Sequence, residues 1–562
     1  MMISHRNILK RTVQPAPWII AVAILVLLLF AVYIAAFFYQ VDSTLSDASW
    51  GDISWYNQMA YNFTHGRPMQ TSIYLHGGPA VLANPYPYIH SFSLHVNFTP
   101  YLFLWPYKLM PTVNGLYLII ILFNAAGFLG LGWLIARQIS MPKTRLVSYL
   151  LACAVFFCAL PFGQVITYKG HFGLFAGPLI LAAYYFCLRH NKLMLAVTGL
   201  LLCGISEDMA MFVCSFSAYL FIFEKQVRKT ALWMGIGSAV YLALVFFVIQ
   251  PASETGLVLA YATDLAARLN MHSAGVFGRF RGLTAIRLYF ICLAAALTVM
   301  ALYSGFSRDI KWKKLLGLII VAPASSWFLV TIEGAGHHLM PLLACAFLAF
   351  LLMAGKLEFR PVAVARVAAA LFICMVLGVY WPIRLFGVKR LLAANGYPFY
   401  TDIKSVARME TNKCTLKAVA ALPNEAGISY WTNQGIDAFM TSRNSVWRFP
   451  DYFDSADYLV IQKDADQTFF YTEAGTSESL EAAIKKGKYY TSGTEIAMPS
   501  GTVRRIEHEL VDVKASHVVK ADTGHVLILQ RKEKAYFPSP ESTLGLNWIK
   551  HIKIFGKTAR RS

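Results

Sequence analysis

The sequence predicts a polytopic α-helical membrane protein of about eleven spans with a small C-terminal extracytoplasmic α/β domain, and three observations carry that reading. First, 57% of the 562 residues are hydrophobic and only 14% are charged, an apolar excess that a water-soluble chain of this size does not carry. Second, the apolar residues gather into runs near the roughly 20 that a bilayer-crossing helix needs. Third, the charges divide along the chain: residues 1–384 hold 26 Lys+Arg and 11 Asp+Glu, whereas residues 385–562 hold 24 and 19. Residues 1–384 therefore read as a transmembrane domain and 385–562 as a soluble one. The net charge of +20 resembles a nucleic-acid signal until its location is considered, because 15 of those charges sit on short loops of the apolar part. That distribution orients helices in a bilayer, and no nucleic-acid partner is implied.

Spans are expected near 18–38, 113–136, 146–160, 173–188, 231–250, 285–304, 315–332, 338–355 and 367–383. The stretch 193–223 is too long for one span and carries Ser206-Glu207-Asp208 at its middle, so it reads as two short helices meeting at an acidic tip. The first run, Ile19 to Tyr39, is too long for a signal-peptide core and no small-residue cleavage site follows, so it is expected to stay as an anchor. Counting basic residues on alternate loops gives the sidedness: 18 of the 26 fall on the set that includes Lys10, Arg137, Lys192, Lys225, Lys314 and Lys356, which is therefore cytoplasmic. The N-terminus is then inside and the soluble third outside. Of the 11 acidic residues only Glu224, Asp309 and Glu358 fall inside, while Asp52, Glu207, Asp208 and the rest face outward with His95, His171, His337 and His338. Eight of the nine cysteines lie in apolar runs, which leaves no disulfide framework and no cysteine metal cluster.

The first outer loop, residues 39–112, is long for a connection, and long ordered loops are disproportionately functional. Within it Trp50-Gly51-Asp52-Ile53-Ser54-Trp55-Tyr56-Asn57-Gln58 reads as a helix start with Asp52 near the positive end, either as a cap or as a functional carboxylate. Leu94-His95-Val96-Asn97-Phe98-Thr99-Pro100 precedes an apolar run, Tyr101 to Met110, that is too short to span and is expected to dip into the membrane interface. His95 there either bonds a loop carbonyl or enters a site. Glu207-Asp208 is the sharpest signal, because adjacent carboxylates among apolar residues at membrane depth are costly unless paired, coordinated or facing water. A structural role would give them a buried cation such as Lys169 or Arg67. Glu333-Gly334-Ala335-Gly336-His337-His338 ends another span outward, and at most one of its adjacent imidazoles enters a site. Lys169-Gly170-His171 offers a cation suited to a phosphate, or a lysine that snorkels to the interface.

The chain has no Gly-x-x-x-x-Gly-Lys loop, no His-Glu-x-x-His and no Gly-x-Ser-x-Gly, which counts against cytosolic ATP-driven chemistry. No cofactor is required by the pattern, although the carboxylates and histidines admit a divalent metal. In the soluble third, strand-type runs (Ile428 to Thr432, Tyr458 to Gln462, Val526 to Gln530) alternate with stretches of helical pattern such as Ser477 to Lys488. The basic end from Lys550 to Arg561 reads as a solvated tail.

Taken in order, Gly51 to Gln58, His65-Gly66-Arg67-Pro68, His95 to Pro100, Glu207-Asp208, and His337-His338 with Pro341 resemble a bacterial family of predicted membrane proteins, domain of unknown function 2079, placed in the GT-C clan of lipid-dependent glycosyltransferases. Ser429-Tyr430-Trp431-Thr432, Ser442-Arg443, Phe449-Pro450 and Ala456-Asp457-Tyr458 are similar to that family's C-terminal segment. The departure is Asn57, where the family pattern is expected to carry a second Asp. The resemblance implies a GT-C-like fold in the bacterial cytoplasmic membrane, and an enzyme that takes a sugar from a polyprenyl-phosphate carrier at the outer face. Asp52 matches the acidic residue of the first outer loop that such enzymes use.

The function expected from these residues is an inverting transfer of one sugar from a polyprenyl-phosphate-linked donor to an outward-facing glycan, lipid or protein acceptor. Asp52 is the expected base, with Glu207 and Asp208 orienting the acceptor or a divalent ion, and Arg67, His95, Lys169, His337 or His338 contacting substrate and its phosphate. The rival reading is a lipid-linked-sugar flippase or transporter, for which many spans and intramembrane carboxylates are equally natural. A non-catalytic envelope scaffold is the third.

Overall fold

The computed structural model describes residues 52–68, 95–140, 170–249, 312–326, 338–354 and 409–424, with shorter pieces elsewhere that include strand segments between 428 and 533. The expected spans near 285–304 and 367–383, nearly all of 18–38 and most of 146–160 lie outside the described residues. Among the described residues the membrane part has eight α-helices: α1 (Asp52–Thr64), α2 (Val113–Ile139), α3 (Ala176–Leu188), α4 (Lys192–Cys203), α5 (Glu207–Phe223), α6 (Arg228–Leu244), a short α7 (Trp312–Leu316) and α8 (Leu339–Ala354). Among the described residues Val113–Ile139 and Lys225–Ile249 are long and apolar enough to cross a bilayer, and Phe172–Leu188, Lys192–Cys203 and Leu339–Leu352 are apolar but shorter.

Local chemistry sets the starts of these helices. The Thr112 side chain accepts the Gly115 N–H at the head of α2, and Asn191 accepts the Met194 N–H at the head of α4. Apart from the buried Asn124 of α2 and Thr198 of α4, their interior residues are apolar all round, as expected of segments whose surroundings are lipid on one face and protein on the other. Phe128 of α2 meets Phe347 of α8 edge-on at 5.1 Å, and α3 packs against both helices.

The stretch 193–223 is a hairpin. The pairs Gly199 with Met234 and Cys203 with Ser238 (3.4 Å) advance together, so α4 and α6 run the same way. Ser238 Oγ donates to the Ala210 carbonyl at 2.6 Å and Arg228 Nε to the Phe221 carbonyl at 2.8 Å, so α5 runs opposite to α6. Hence α4 and α5 are antiparallel, joined through Gly204-Ile205-Ser206, with Glu207-Asp208 at the tip. At the far end of α5 Glu224 pairs with Lys314 of α7 at 2.5 Å, two residues that the basic-residue count assigns to one face. A 17-residue helix is about 25 Å long, so the acidic tip and this ion pair are separated by most of a hydrocarbon core.

Gly204 is where the first outer loop docks on that tip. Its carbonyl accepts the Phe98 and Thr99 N–H groups, each at 2.8 Å, and a Cβ on it would fall 2.2 Å from the Phe98 ring. Thr99 Oγ1 also donates to the Leu201 carbonyl at 2.7 Å. Gly204→Ala therefore forces the 95–99 segment off its seat. The expected loss of stability is about 1–3 kcal/mol, read as a lower thermal midpoint in detergent; an unchanged midpoint would mean that the loop is not fixed by this contact.

The run from Tyr101 to Met110 folds as two tight turns, Pro100–Phe103 and Trp105–Leu109. Leu102, Trp105 and Leu109 are exposed while Tyr101, Leu104 and Tyr107 are buried, so the segment presents an apolar outer face just before α2 enters the bilayer. That division suits an interfacial segment with a tryptophan at headgroup level.

In the last third a five-stranded sheet is ordered His517–Asp522, Val526–Arg531, Tyr458–Gln462, Ser429–Thr432, Ser445–Arg448. The strand Ser429–Thr432 is parallel to both its neighbours, and the other pairings are antiparallel. Helix α9 (Met409–Ala420) leads into residues that pack on it, with Val419 and Leu422 against Tyr430, Val460, Val526 and Ile528. Asp457 joins two strands by accepting both the Ser429 N–H (2.8 Å) and the Ser429 hydroxyl (2.7 Å), which gives Ser429 and Asp457 a structural role. The helical pattern expected from Ser477 to Lys488 does not hold at its ends: Ser477–Glu478 pairs with Phe470–Tyr471, and Lys488–Tyr489 with Val511–Asp512. Strand pairing, a local hairpin at one end and a partner about twenty residues on at the other, overrules the helical spacing there.

Candidate functional site

Both carboxylates of the hairpin tip are held by histidines from other loops. The buried His95 Nδ1–H donates to Glu207 Oε2 at 2.9 Å, and the second oxygen of Glu207 accepts the Val96 N–H at 2.8 Å. His338 Nδ1–H donates to Asp208 Oδ2 at 2.9 Å, and the Ser206 hydroxyl donates to the other oxygen. A carboxylate only accepts, so each imidazole carries a proton on Nδ1. Glu207 and Asp208 open α5, and His338 immediately precedes α8, so both pairs sit at helix N-termini. The contacts described for Glu207 and Asp208 come from His95, Val96, Ser206 and His338, while Lys169 lies outside the described residues.

Helix α1 closes the site from the first outer loop. Asp52 is its first residue, and one turn later the Trp55 ring lies 5.6 Å from the His95 ring. Tyr56 packs against Trp55 at 4.8 Å and bonds His171 Nε2 at 2.7 Å. His171 Nδ1 accepts the Gly173 N–H at 2.9 Å, which places its proton on Nε2 and makes Tyr56 the acceptor of that bond. Gly170, just before it, has φ +59° and lies against Ile53, where a side chain would collide with the Ile53 Cδ1 at 2.3 Å. Thus α1, the 95–99 segment, the turn at 171 and the starts of α5 and α8 meet at one place, although they come from five separated parts of the sequence.

Not every expected residue joins them. Arg67 follows the other end of α1, where its N–H donates to the Asn62 carbonyl at 2.8 Å, roughly 18 Å along the helix from Asp52. Lys169 and His337 lie outside the described residues, but their chain neighbours Gly170 and His338 are at the site. Asn57 is fully buried and its Oδ1 accepts the Tyr107 hydroxyl at 2.8 Å, so position 57 here ties α1 to the Trp105–Leu109 turn. Among the described residues no group of three His, Cys, Asp or Glu side chains is arranged to hold a metal ion.

Two further polar groups were not singled out by spacing or charge. The Trp55 indole N–H and the Asn97 side-chain carbonyl are both buried and have no hydrogen-bond partner among the described residues. A buried polar group left unmade costs about 1–3 kcal/mol. Their signal in the sequence was the aromatic doublet Trp55-Tyr56 and the asparagine inside His95 to Pro100.

The family model described as Predicted membrane protein (DUF2079) matches residues 48–493. The match therefore begins just before α1, covers every residue of the site and extends into the C-terminal sheet. Among solved structures, the crystal structure of ArnT from Cupriavidus metallidurans bound to undecaprenyl phosphate is similar over 91% of this chain and 99% of that one, at 10% identity and a TM-score of 0.49. At that score the likeness is too slight to bear on the chemistry. No curated protein matches the chain.

Proposed function

We propose that this chain, which belongs to the DUF2079 family of predicted membrane proteins, is a GT-C-like glycosyltransferase of the bacterial cytoplasmic membrane, moving one sugar from a polyprenyl-phosphate donor to an acceptor hydroxyl on the extracytoplasmic side. The observation that carries the reading is the meeting of the α1 start with two histidine–carboxylate pairs, the buried His95–Glu207 and the partly buried His338–Asp208. These pairs bring protonatable side chains together beside α1, as a group transfer between hydroxyl and phosphate requires.

In this reading the Asp52 carboxylate removes the proton of the acceptor hydroxyl as its oxygen attacks the anomeric carbon. The bond from that carbon to the phosphate oxygen breaks, the electron pair leaves with the polyprenyl phosphate, and the anomeric configuration inverts. His95 and His338, each fixed by a carboxylate, face the developing charge on the phosphate, with Lys169 and His337 adjoining them in the chain. Glu207 and Asp208 hold those imidazoles in place and orient the acceptor. Arg67, at the opposite end of α1, is assigned to the lipid headgroup or acceptor side, away from the reacting carbon. The soluble C-terminal α/β part is placed outside the membrane by the same sidedness.

The test is transfer itself. Purified protein in detergent, given radiolabelled polyprenyl-phosphate sugars and a membrane extract as acceptor source, is expected to form labelled product. Absence of transfer together with movement of labelled lipid across proteoliposome bilayers would replace the enzyme by a flippase.

A further inference from the structure

We infer that Arg228, with Lys225 and Lys229 beside it in the chain, binds the headgroup of an anionic phospholipid at the end of α5 and α6 opposite the acidic tip. The guanidinium is held in place: its Nε–H donates to the Phe221 carbonyl at 2.8 Å, and its carbon stands 5.3 Å from the centre of the Phe221 ring. The side chain is exposed, and its four Nη–H groups have no partner among the described residues. An arginine already oriented, with its fork open, has lost little freedom left to lose on binding an anion. Glu224, four residues earlier, does not compete for it, because that carboxylate is taken by Lys314 at 2.5 Å. Lys225 and Lys229 are exposed and in no ion pair among the described residues. Because α4 runs parallel to α6, its first residue, the exposed Lys192, lies at this same end.

The chemistry of the cations and of the surface that continues from them identifies the ligand. Two coplanar Nη–H groups match two oxygens of a phosphate, so the fork takes a phosphodiester bidentately. From Lys229 the exposed face of α6 continues at helical spacing through Leu232, Trp233, Ile236 and Val240. It lies on Lys225–Ile249, a segment long and apolar enough to cross a bilayer. A headgroup on Arg228 therefore lays its acyl chains along this apolar face, which a free phosphate would leave bare. Lys225 and Lys229 favour a headgroup that carries no cation of its own over the ammonium of a zwitterionic lipid. Orientation of the helices accounts for basic residues at this end, but it does not require a guanidinium fixed on Phe221.

The test uses the full-length protein in neutral detergent micelles doped with phosphatidylglycerol or phosphatidylcholine, or given inorganic phosphate. Binding is read from the rise of the thermal unfolding midpoint with each additive. The wild type is expected to need about tenfold less phosphatidylglycerol than phosphatidylcholine for the same rise, and to show none with inorganic phosphate. Arg228→Gln and Arg228→Lys are each expected to remove most of that preference, since lysine keeps the charge but not the fork. Phe221→Leu leaves every charge in place and frees the guanidinium, and is expected to weaken phosphatidylglycerol roughly threefold. Arg137→Gln takes an equal charge from the exposed last turn of α2 and is expected to change nothing. A wild type that responds equally to the two lipids, or to inorganic phosphate as to phosphatidylglycerol, overturns the site. An Arg228→Lys variant with the preference intact, or an Arg137→Gln loss as large as that of Arg228→Gln, overturns it too, by reducing the patch to diffuse surface charge. The wild-type comparisons need no variant, so they stand even if a substitution fails to fold.

Discussion

Asp52→Asn is expected to lower sugar transfer by roughly 10²–10⁴-fold, with little change in expression, membrane insertion or donor binding. The substitution is nearly isosteric and keeps a side chain that caps a helix about as well as aspartate does. It removes only the capacity to take a proton. The two roles open to a carboxylate at the first position of α1 therefore separate in a single variant. Turnover within about threefold of wild type would leave Asp52 a cap and move the base elsewhere, whereas a loss confined to kcat with KM for the donor unchanged is the signature of a group acting in the transition state. The geometry makes the second outcome the expected one: one turn further along the same helix, Trp55 lies against the histidine that Glu207 holds.

What the sequence disclosed about this site, and what it withheld, follows from the range of the interactions. The hairpin over 193–223 was legible because its cause is local: two adjacent carboxylates cannot lie inside one apolar span without partners. The start of α1 at Asp52 was legible for the same reason, since caps and first-turn charges act within a few residues. The partners were not. His95 and Glu207 are 112 positions apart, and Asp208 and His338 are 130 apart, so no spacing rule connects them. Positive charge alone had pointed to Lys169 or Arg67, but a 13-residue helix carries Arg67 away from Asp52. Asn57 read as a missing carboxylate; in the fold it is the acceptor for Tyr107. In the last third, the helical spacing from Ser477 to Lys488 is a local preference that pairing with Phe470–Tyr471 and Val511–Asp512 overrides at both ends. Trp55 and Asn97 were invisible for a different reason, because an unmatched buried polar atom shows only in the packed structure.

Glu207→Ala is expected to cost about 3–5 kcal/mol of stability, because it leaves the His95 imidazole and the Val96 N–H buried at the tip of the hairpin with the accepting carboxylate gone. Glu207→Gln separates that structural effect from the chemistry. The carboxylate faces two donors with two acceptor oxygens, whereas the glutamine amide offers one acceptor and one donor. If its carbonyl keeps the Val96 N–H, its NH₂ meets His95 Nδ1, and the imidazole avoids a donor–donor clash only by moving its proton to Nε2. The fold then loses little, about 1 kcal/mol, but the ring no longer carries its proton on the nitrogen that the carboxylate had fixed. The expected pair of results is a thermal midpoint close to wild type and transfer reduced by about tenfold or more per folded molecule, since 1.4 kcal/mol lost in the transition state is already a factor of ten. A Gln variant with full activity and a midpoint as low as that of the Ala variant would reduce the His95–Glu207 pair to a clamp for the first outer loop, and would leave His338–Asp208 as the pair to carry the chemistry.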